Sequence, residues 1–372
     1  MKRDMQGIQI AYDAKRAFSN YRGLGNYSRD VIRLAQTFAP QNEYVLLGQP
    51  TDLYCPEAAG IISPQGLWRL CPGLWRSHGC IGALRGVDIY HGLSGELPFG
   101  IHRCGVKTVV SIHDLLVFRY PRLYSPGYRT LFAAKMRYAV RVADIIIAIS
   151  EQTKRDIITY LHADERKIRV VYQGCNHIYR APVTAQKTVQ VRAAYSLPQK
   201  YILYVGALEK RKNLHTLIAA MAQAEVSLPL ILVGGENKYG KALQQQASRS
   251  GVDLYILSGV PQTDLPALYH EAEVFVYPSV FEGFGIPVLE SLAVGTPVLT
   301  STGSCFAEVG GEAALYADPA DPAGIGRQLN TILADETLRR RMIALGHEQA
   351  DKFSDERVAH NLLTVYRELC AF

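Results

Sequence analysis

Short apolar runs alternate with amphipathic stretches along the whole chain. The runs at 8–12, 44–48, 60–62, 87–91, 107–112, 144–149 and 168–172 are too short for buried helices and predict strands. A second series follows at 201–206, 230–233, 254–257, 273–277, 297–300 and 315–319. Stretches with helical spacing lie between them, at 27–38, 151–161, 214–222, 265–271, 287–294, 322–333, 335–344 and 355–370. Regular strand–helix alternation predicts parallel sheets and an α/β fold. Residues 180–199 are mostly polar or small, with prolines at 182 and 198, and read as a linker with a short helix at 189–195. The predicted division is therefore a domain at 1–179, a linker at 180–199, a domain at 200–352 and a closing helix at 353–372.

Composition narrows the class. The chain has 372 residues, 48% of them hydrophobic and 20% charged, which suits two globular domains. No apolar run reaches the ~18 residues of a spanning helix, and the first seven residues lack a signal-peptide core. Seven scattered cysteines with no C-x-x-C argue for a reducing compartment and against a zinc site. Charge is uneven. Residues 1–180 carry 24 Lys/Arg against 14 Asp/Glu, and residues 181–372 carry 16 against 20. A basic first half suits phosphates, anionic lipid or nucleic acid, or simply a solubilising surface; no nucleic-acid recognition motif accompanies it.

The most informative stretch is 276–290. An apolar strand ends at Pro278-Ser279, a loop with Gly283 and Gly285 follows, and Pro287 suits the first helical turn. A strand, a glycine loop and a helix start offer amides and a positive dipole end to an anion. Glu282 lies in the loop and Glu290 is expected on the first helical turn. A carboxylate there suits sugar or ribose hydroxyls; the plainer reading is a surface loop with two solvated glutamates.

Other candidates lie at strand ends. Gly206 closes a strand and leads into Glu209-Lys210-Arg211-Lys212-Asn213, where three cations could grip a diphosphate. His113-Asp114 sits at the C-terminal edge of the 107–112 strand, where open α/β sheets bind ligands. Gly23 and Gly25 precede a helix and permit close backbone approach to a ligand. Both tryptophans, Trp68 and Trp75, fall in a Trp/Arg-rich stretch at 64–85 that suits a membrane interface or a packed loop with snorkelling arginines. Residues 119–141 are basic and aromatic, either an acceptor or lipid-phosphate wall or an amphipathic helix with a wet face.

Glu282 and Glu290 form an E-x7-E pair around Gly283-Phe284-Gly285-Ile286, and the block resembles the retaining glycosyltransferases of family 4. Lys212 within Leu-Glu-x-Arg-Lys-Asn extends the likeness, which covers nearly the whole chain. The resemblance implies a GT-B fold: two doubly wound Rossmann-like domains facing a central cleft, the final helix packing back on the first. It implies transfer of a hexose from a nucleotide diphosphate sugar, GDP- or UDP-linked, to a glycan or lipid-linked hydroxyl in cell-surface polysaccharide synthesis. The Leu-Glu-x-Arg-Lys-Asn form inclines this toward GDP and mannose. By the same resemblance Glu290 holds the donor ribose, Glu282 faces the transferred sugar, and Lys212 with Arg211 holds the diphosphate. The amides at 283–286 face the donor, the backbone at Val260 meets the nucleobase, Gly25 faces the diphosphate and acceptor, and His113 contacts the donor. His113, Glu282 and Lys212 are the expected catalytic residues. The absence of a plausible D-x-D loop implies no metal and no cofactor. The pattern departs at Leu24, which splits the usual glycine pair, at Ala207, where arginine is usual, at Gln173 and at Ala307. A cytoplasmic enzyme is expected, at the inner membrane face if the membrane reading holds. The alternatives are an epimerase or phosphorylase of the same fold, or a non-catalytic sugar-nucleotide-binding partner subunit.

Overall fold

The computed structural model describes residues 7–56 and 59–370. Residues 1–6, read above as lacking a signal-peptide core, lie outside the described residues. The chain divides into two compact units, 1–173 with 355–372, and 174–354.

The first unit holds seven strands: β1 (Gln9–Asp13), β2 (Glu43–Leu47), β3 (Gly60–Ile62), β4 (Ile89–Gly92), β5 (Lys107–Ile112), β6 (Ile145–Ala148) and β7 (Ile168–Val170). All pairings are parallel, in the order β3-β2-β1-β4-β5-β6-β7. Continuous apolar runs such as Ile145-Ile146-Ile147-Ala148 are buried throughout, as a strand covered on both faces requires. The order reverses between β1 and β4, and the loops leaving those strands therefore diverge around a crevice at their C-terminal ends.

The second unit has six parallel strands: β8 (Ile202–Val205), β9 (Leu230–Val233), β10 (Leu254–Leu257), β11 (Val274–Tyr277), β12 (Val298–Ser301) and β13 (Ala314–Ala317). Their order is β10-β9-β8-β11-β12-β13, so the reversal falls between β8 and β11. Backbones crowd at this edge. A Cβ on Gly234 would lie 2.5 Å from the Gly206 carbonyl oxygen. Gly206 has φ +152°, and a Cβ there would lie 2.8 Å from the Tyr204 hydroxyl.

Several expectations shift. The short helix expected at 189–195 within the linker runs from Ala185 to Ala194, tied into the second unit by Lys187–Asp264 at 2.5 Å and Arg192–Glu271 at 2.9 Å. The helix expected from residue 27 begins at Gly23, so Gly25 lies inside it. A Cβ on Gly25 would sit 1.8 Å from the Asn20 carbonyl oxygen, and helix packing therefore accounts for this glycine. Trp75 is buried among Cys80 and Leu84, which removes it from a membrane interface; Trp68 stays 41% exposed. The 119–141 stretch carries a helix, Pro126–Val142, with one buried face. Among the described residues no helix is long and apolar enough to cross a membrane.

The helix Asp355–Cys370 belongs to the first unit and packs on Gly23–Phe38 through Leu34, Val358 and Ala359. Arg33–Asp355 at 2.7 Å and the Arg169–Glu368 pair fix its ends. At its centre Tyr366 reaches a fully buried polar chain. Its hydroxyl lies 2.7 Å from His91 Nδ1 and 3.2 Å from the Tyr12 hydroxyl; His91 Nε2 lies 2.8 Å from Ser111 Oγ, which meets the Tyr27 hydroxyl at 2.7 Å. Burial pushes His91 down to about 3, so the ring is neutral and needs both partners. Tyr366→Phe removes one of them while keeping the ring. It is expected to lower unfolding stability by about 1–3 kcal/mol in urea titration; an unchanged midpoint would show that the chain is not what anchors this helix.

Candidate active site

Two loops meet at the β8/β11 reversal. The loop after β8 makes one 3-10 turn, Lys210–Lys212, and ends at Asn213 in the left-handed region (φ 61°). Asparagine tolerates this conformation, and here both ends of its amide are bonded, to the Pro319 carbonyl and the Thr216 hydroxyl. The turn sends Lys212 inward to 7% exposure and leaves Lys210 in solvent. The loop after β11 brings Glu282 to meet it.

Four side chains converge on one carboxylate oxygen of Glu282. Oε1 receives Lys212 Nζ at 2.5 Å, Arg211 Nη1 at 2.8 Å, Ser279 Oγ at 2.6 Å and the Tyr277 hydroxyl at 3.3 Å. Lys212 Nζ also donates to the Tyr277 hydroxyl at 2.6 Å, and Arg211 Nη1 to the Phe281 carbonyl at 2.8 Å. Burial alone would raise the Glu282 carboxyl, but Lys212 and Arg211 beside it hold it at about 2. Burial lowers the Lys212 pKa despite the Glu282 carboxylate beside it. Arg211 also faces the half-exposed Glu209 at 3.6 Å, so the two inward cations meet two carboxylates, and the loop's remaining positive charge sits on the solvent-exposed Lys210.

Gly285, at φ 100°, turns the chain into the helix Ile286–Val294. Glu290 is the fifth residue of that helix, one position later than the expected start at Pro287 implies, and is 9% exposed. Its Oε2 accepts the Tyr269 hydroxyl at 3.0 Å, and Tyr179, edge-on to the Tyr269 ring, also bonds it. Burial pushes the Glu290 carboxyl up to about 7, against the pull of both phenols. It has no cation among its bonded partners, unlike Glu282. Val260 follows β10, the edge strand two places from β8.

In the first unit, His113 leaves β5 with Nε2 at 2.9 Å from the Leu93 carbonyl oxygen, so Nε2 carries the proton. Burial pushes this ring down to about 4, and the Tyr27 ring stands edge-on at 4.4 Å. His113 therefore presents a neutral imidazole to a cavity of about 250 Å³ at the β1/β4 reversal. Gly25 does not line that cavity; its neighbour Leu24 does.

Sequence reasoning found Lys212, Arg211, Glu282 and Glu290 but not what surrounds them. Tyr277 and Ser279 were legible as a strand end only. Tyr179 and Tyr269 carry no local signal that they meet Glu290, and Arg16 beside His113 none either.

Two doubly wound parallel domains, the second with a cationic cluster and buried carboxylates at its reversal point, define a GT-B glycosyltransferase. Residues 30–177 match the family described as Glycosyltransferase Family 4, and residues 190–349 match Glycosyl transferases group 1. The chain is 33% identical over 289 residues to O-antigen chain mannosyltransferase B of Escherichia coli, covering 76% of this chain and 74% of that protein. It is 30% identical over 288 residues to the serotype-specific mannosyltransferase WbdA of the same organism, spanning 35% of its length. The chain belongs to family 4 of the glycosyltransferases. Its fold is shared with sucrose-phosphate synthase from Thermosynechococcus elongatus (TM-score 0.78, 22% identity, 98% of this chain and 99% of that one). It is shared also with Anabaena HepE in complex with UDP and glucose (TM-score 0.75, 18% identity, 98% and 100%).

The Glu290 environment makes a pH prediction. The folded carboxyl titrates near 7 and the unfolded one near ~4.3. Between those values the folded state holds a proton that the unfolded state has lost, so this contribution is complete at low pH and disappears as pH rises through 7. Glu290→Gln removes the titration. Its stability relative to the native chain should rise by about 3 kcal/mol between pH 4.5 and pH 8, measured by chemical denaturation; a constant difference would mean that Glu290 does not titrate in this range.

Proposed function

We propose that the protein transfers a hexose, mannose first among the candidates, with retention of configuration, from a nucleotide diphosphate sugar to a hydroxyl of a glycan or lipid-linked acceptor. The carrying observation is the Lys212–Glu282–Arg211 cluster at the β8/β11 reversal. Its fixed cations meet the charge that grows on a departing diphosphate, in a buried setting where a fixed cation acts more strongly than in water. No metal or cofactor enters this reading. The Glu282 Oε2 atom is the acceptor for a sugar hydroxyl, while the cations hold its other oxygen in place. Glu290, held between two phenols, accepts ribose hydroxyls, and hydroxyl donors there favour its charged form. His113 supplies a neutral ring to the donor sugar where the acceptor meets it. The mannosyltransferase relatives support mannose and surface polysaccharide synthesis, and the HepE complex with UDP supports a nucleotide donor.

The first unit exposes Leu67, Leu70 and Leu74, at 85%, 80% and 64%, around Arg69. With the basic balance of residues 1–180, this supports contact with an anionic membrane face. Acidic liposomes should sediment the protein at low salt and release it at high salt, and Leu70→Glu with Leu74→Glu should prevent sedimentation. Equal sedimentation with neutral liposomes would remove the electrostatic part.

Steady-state kinetics on two variants test the site itself. Glu290→Gln keeps the shape and removes a charged acceptor, so the donor KM should rise about ten- to a hundredfold. Lys212→Ala should lower kcat as well, because the interaction grows toward the transition state. Both activities should survive excess chelator. Native rates from both variants, or a loss restored by manganese or magnesium, would overturn the assignment.

A further inference from the structure

The C-terminal edge of the first sheet carries two cavities, one on each side of the β1 end. The cavity beside His113 has about 250 Å³ and takes Arg16 from the short helix Lys15–Ser19 that follows β1. The second has about 310 Å³ and takes Lys15, the preceding residue of the same helix, with Gln49 from the β2 loop and Pro64 from the β3 loop. Consecutive side chains thus serve neighbouring compartments. The wall between them is Arg76, bound to Asp13 at 3.0 Å and to Glu96 at 2.6 Å. Arg76 lines the second cavity and Glu96 the first; the gap between them holds only about 10 Å³.

Each compartment is near the lower end of the ~300–1,000 Å³ typical of ligand sites, with room for one sugar ring. The second is not a generic apolar hole. Trp75, Pro64 and Pro72 give it an apolar floor, and Lys15, Gln49 and Arg76 give it a polar rim. A sugar ring has the matching division, C–H faces on the flat side and hydroxyls at the edge. Lys15 has no ion-pair partner among the described residues, so its ammonium is available as a donor. Arg16 on the other side likewise has none, and its Nε is buried without a hydrogen-bond partner.

We propose that the Lys15–Gln49–Trp75 cavity is an acceptor subsite. It takes the second sugar of a glycan whose terminal sugar lies beside His113, so the acceptor is a chain of at least two sugars. The proposal rests on the reading of the protein as a hexosyltransferase with its acceptor on this unit. The ion-paired Arg76 wall would then lie beneath the linkage between the two rings.

Gly73 offers a clean way to fill the second cavity. It lines the cavity, lies in the helix Pro72–Ser77, and a Cβ there meets nothing within 4 Å. The experiment compares transfer to synthetic alkyl glycosides of one, two and three hexose units, with the native chain and Gly73→Leu. Native kcat/KM should rise about tenfold from one unit to two and change little from two to three, and in Gly73→Leu the two-to-one ratio should fall toward unity. Lys15→Ala should move the ratio the same way, which guards against a folding defect in the leucine variant. A native enzyme indifferent to length, or a two-to-one ratio that both variants leave intact, would overturn the subsite. Saturation-transfer NMR with the same unreacted glycosides reads the subsite without turnover. Two-unit binding that Gly73→Leu abolishes, in a protein that transfers from no donor, would uphold the subsite and defeat the transferase reading. Transfer without that length-dependent binding would do the reverse.

Discussion

The candidate site depends on one contact, the convergence of Lys212 and Arg211 on a single oxygen of Glu282. A buried carboxylate without partners would be neutral, and a buried lysine without partners would give up its proton. Together they remain charged in a place that excludes most water. The rest of the local structure serves this contact. Asn213 takes a left-handed conformation to turn Lys212 inward, Gly206 clears the strand end, and Gly285 starts the helix behind the loop.

Two glutamates eight residues apart are placed in opposite environments. Glu282 sits among cations and hydroxyls and is held at about 2; Glu290 sits among buried tyrosines and is pushed to about 7. A pair of carboxyls whose surroundings drive their titrations apart is a pair with different roles. Glu282 is a permanent anion fixed by its neighbours. Glu290 changes charge near neutrality, and its state responds to whatever hydroxyl donors arrive. On the first unit His113 is likewise kept neutral by burial, with its proton fixed by a backbone carbonyl.

Parallel sheet order explains why these groups lie where they do. In each unit the strand order reverses once, next to the first strand, and loops on either side of the reversal diverge. The Lys212 and Glu282 loops flank the second reversal, and the Arg16 and Glu96 loops flank the first.

The sequence by itself determined the elements and much of the chemistry. Buried parallel strands are apolar throughout, and helices carry a polar face, so the alternation is written in local composition. Lys212, Glu282 and Glu290 were legible because strand-to-helix turns mark themselves with glycine, proline and clustered charge. Partners distant in the chain were decided only by the tertiary structure. Tyr179 reaches Glu290 across 111 positions and Tyr366 reaches His91 across 275, and a lone tyrosine reads the same whether it packs in a core or holds a carboxyl. The same limit explains Gly25 and Trp75. A glycine before a helix suits a ligand or a close helix contact equally, and a tryptophan among arginines suits a membrane or a core. Burial chooses between these readings, and burial is a property of the packed chain that no local pattern carries.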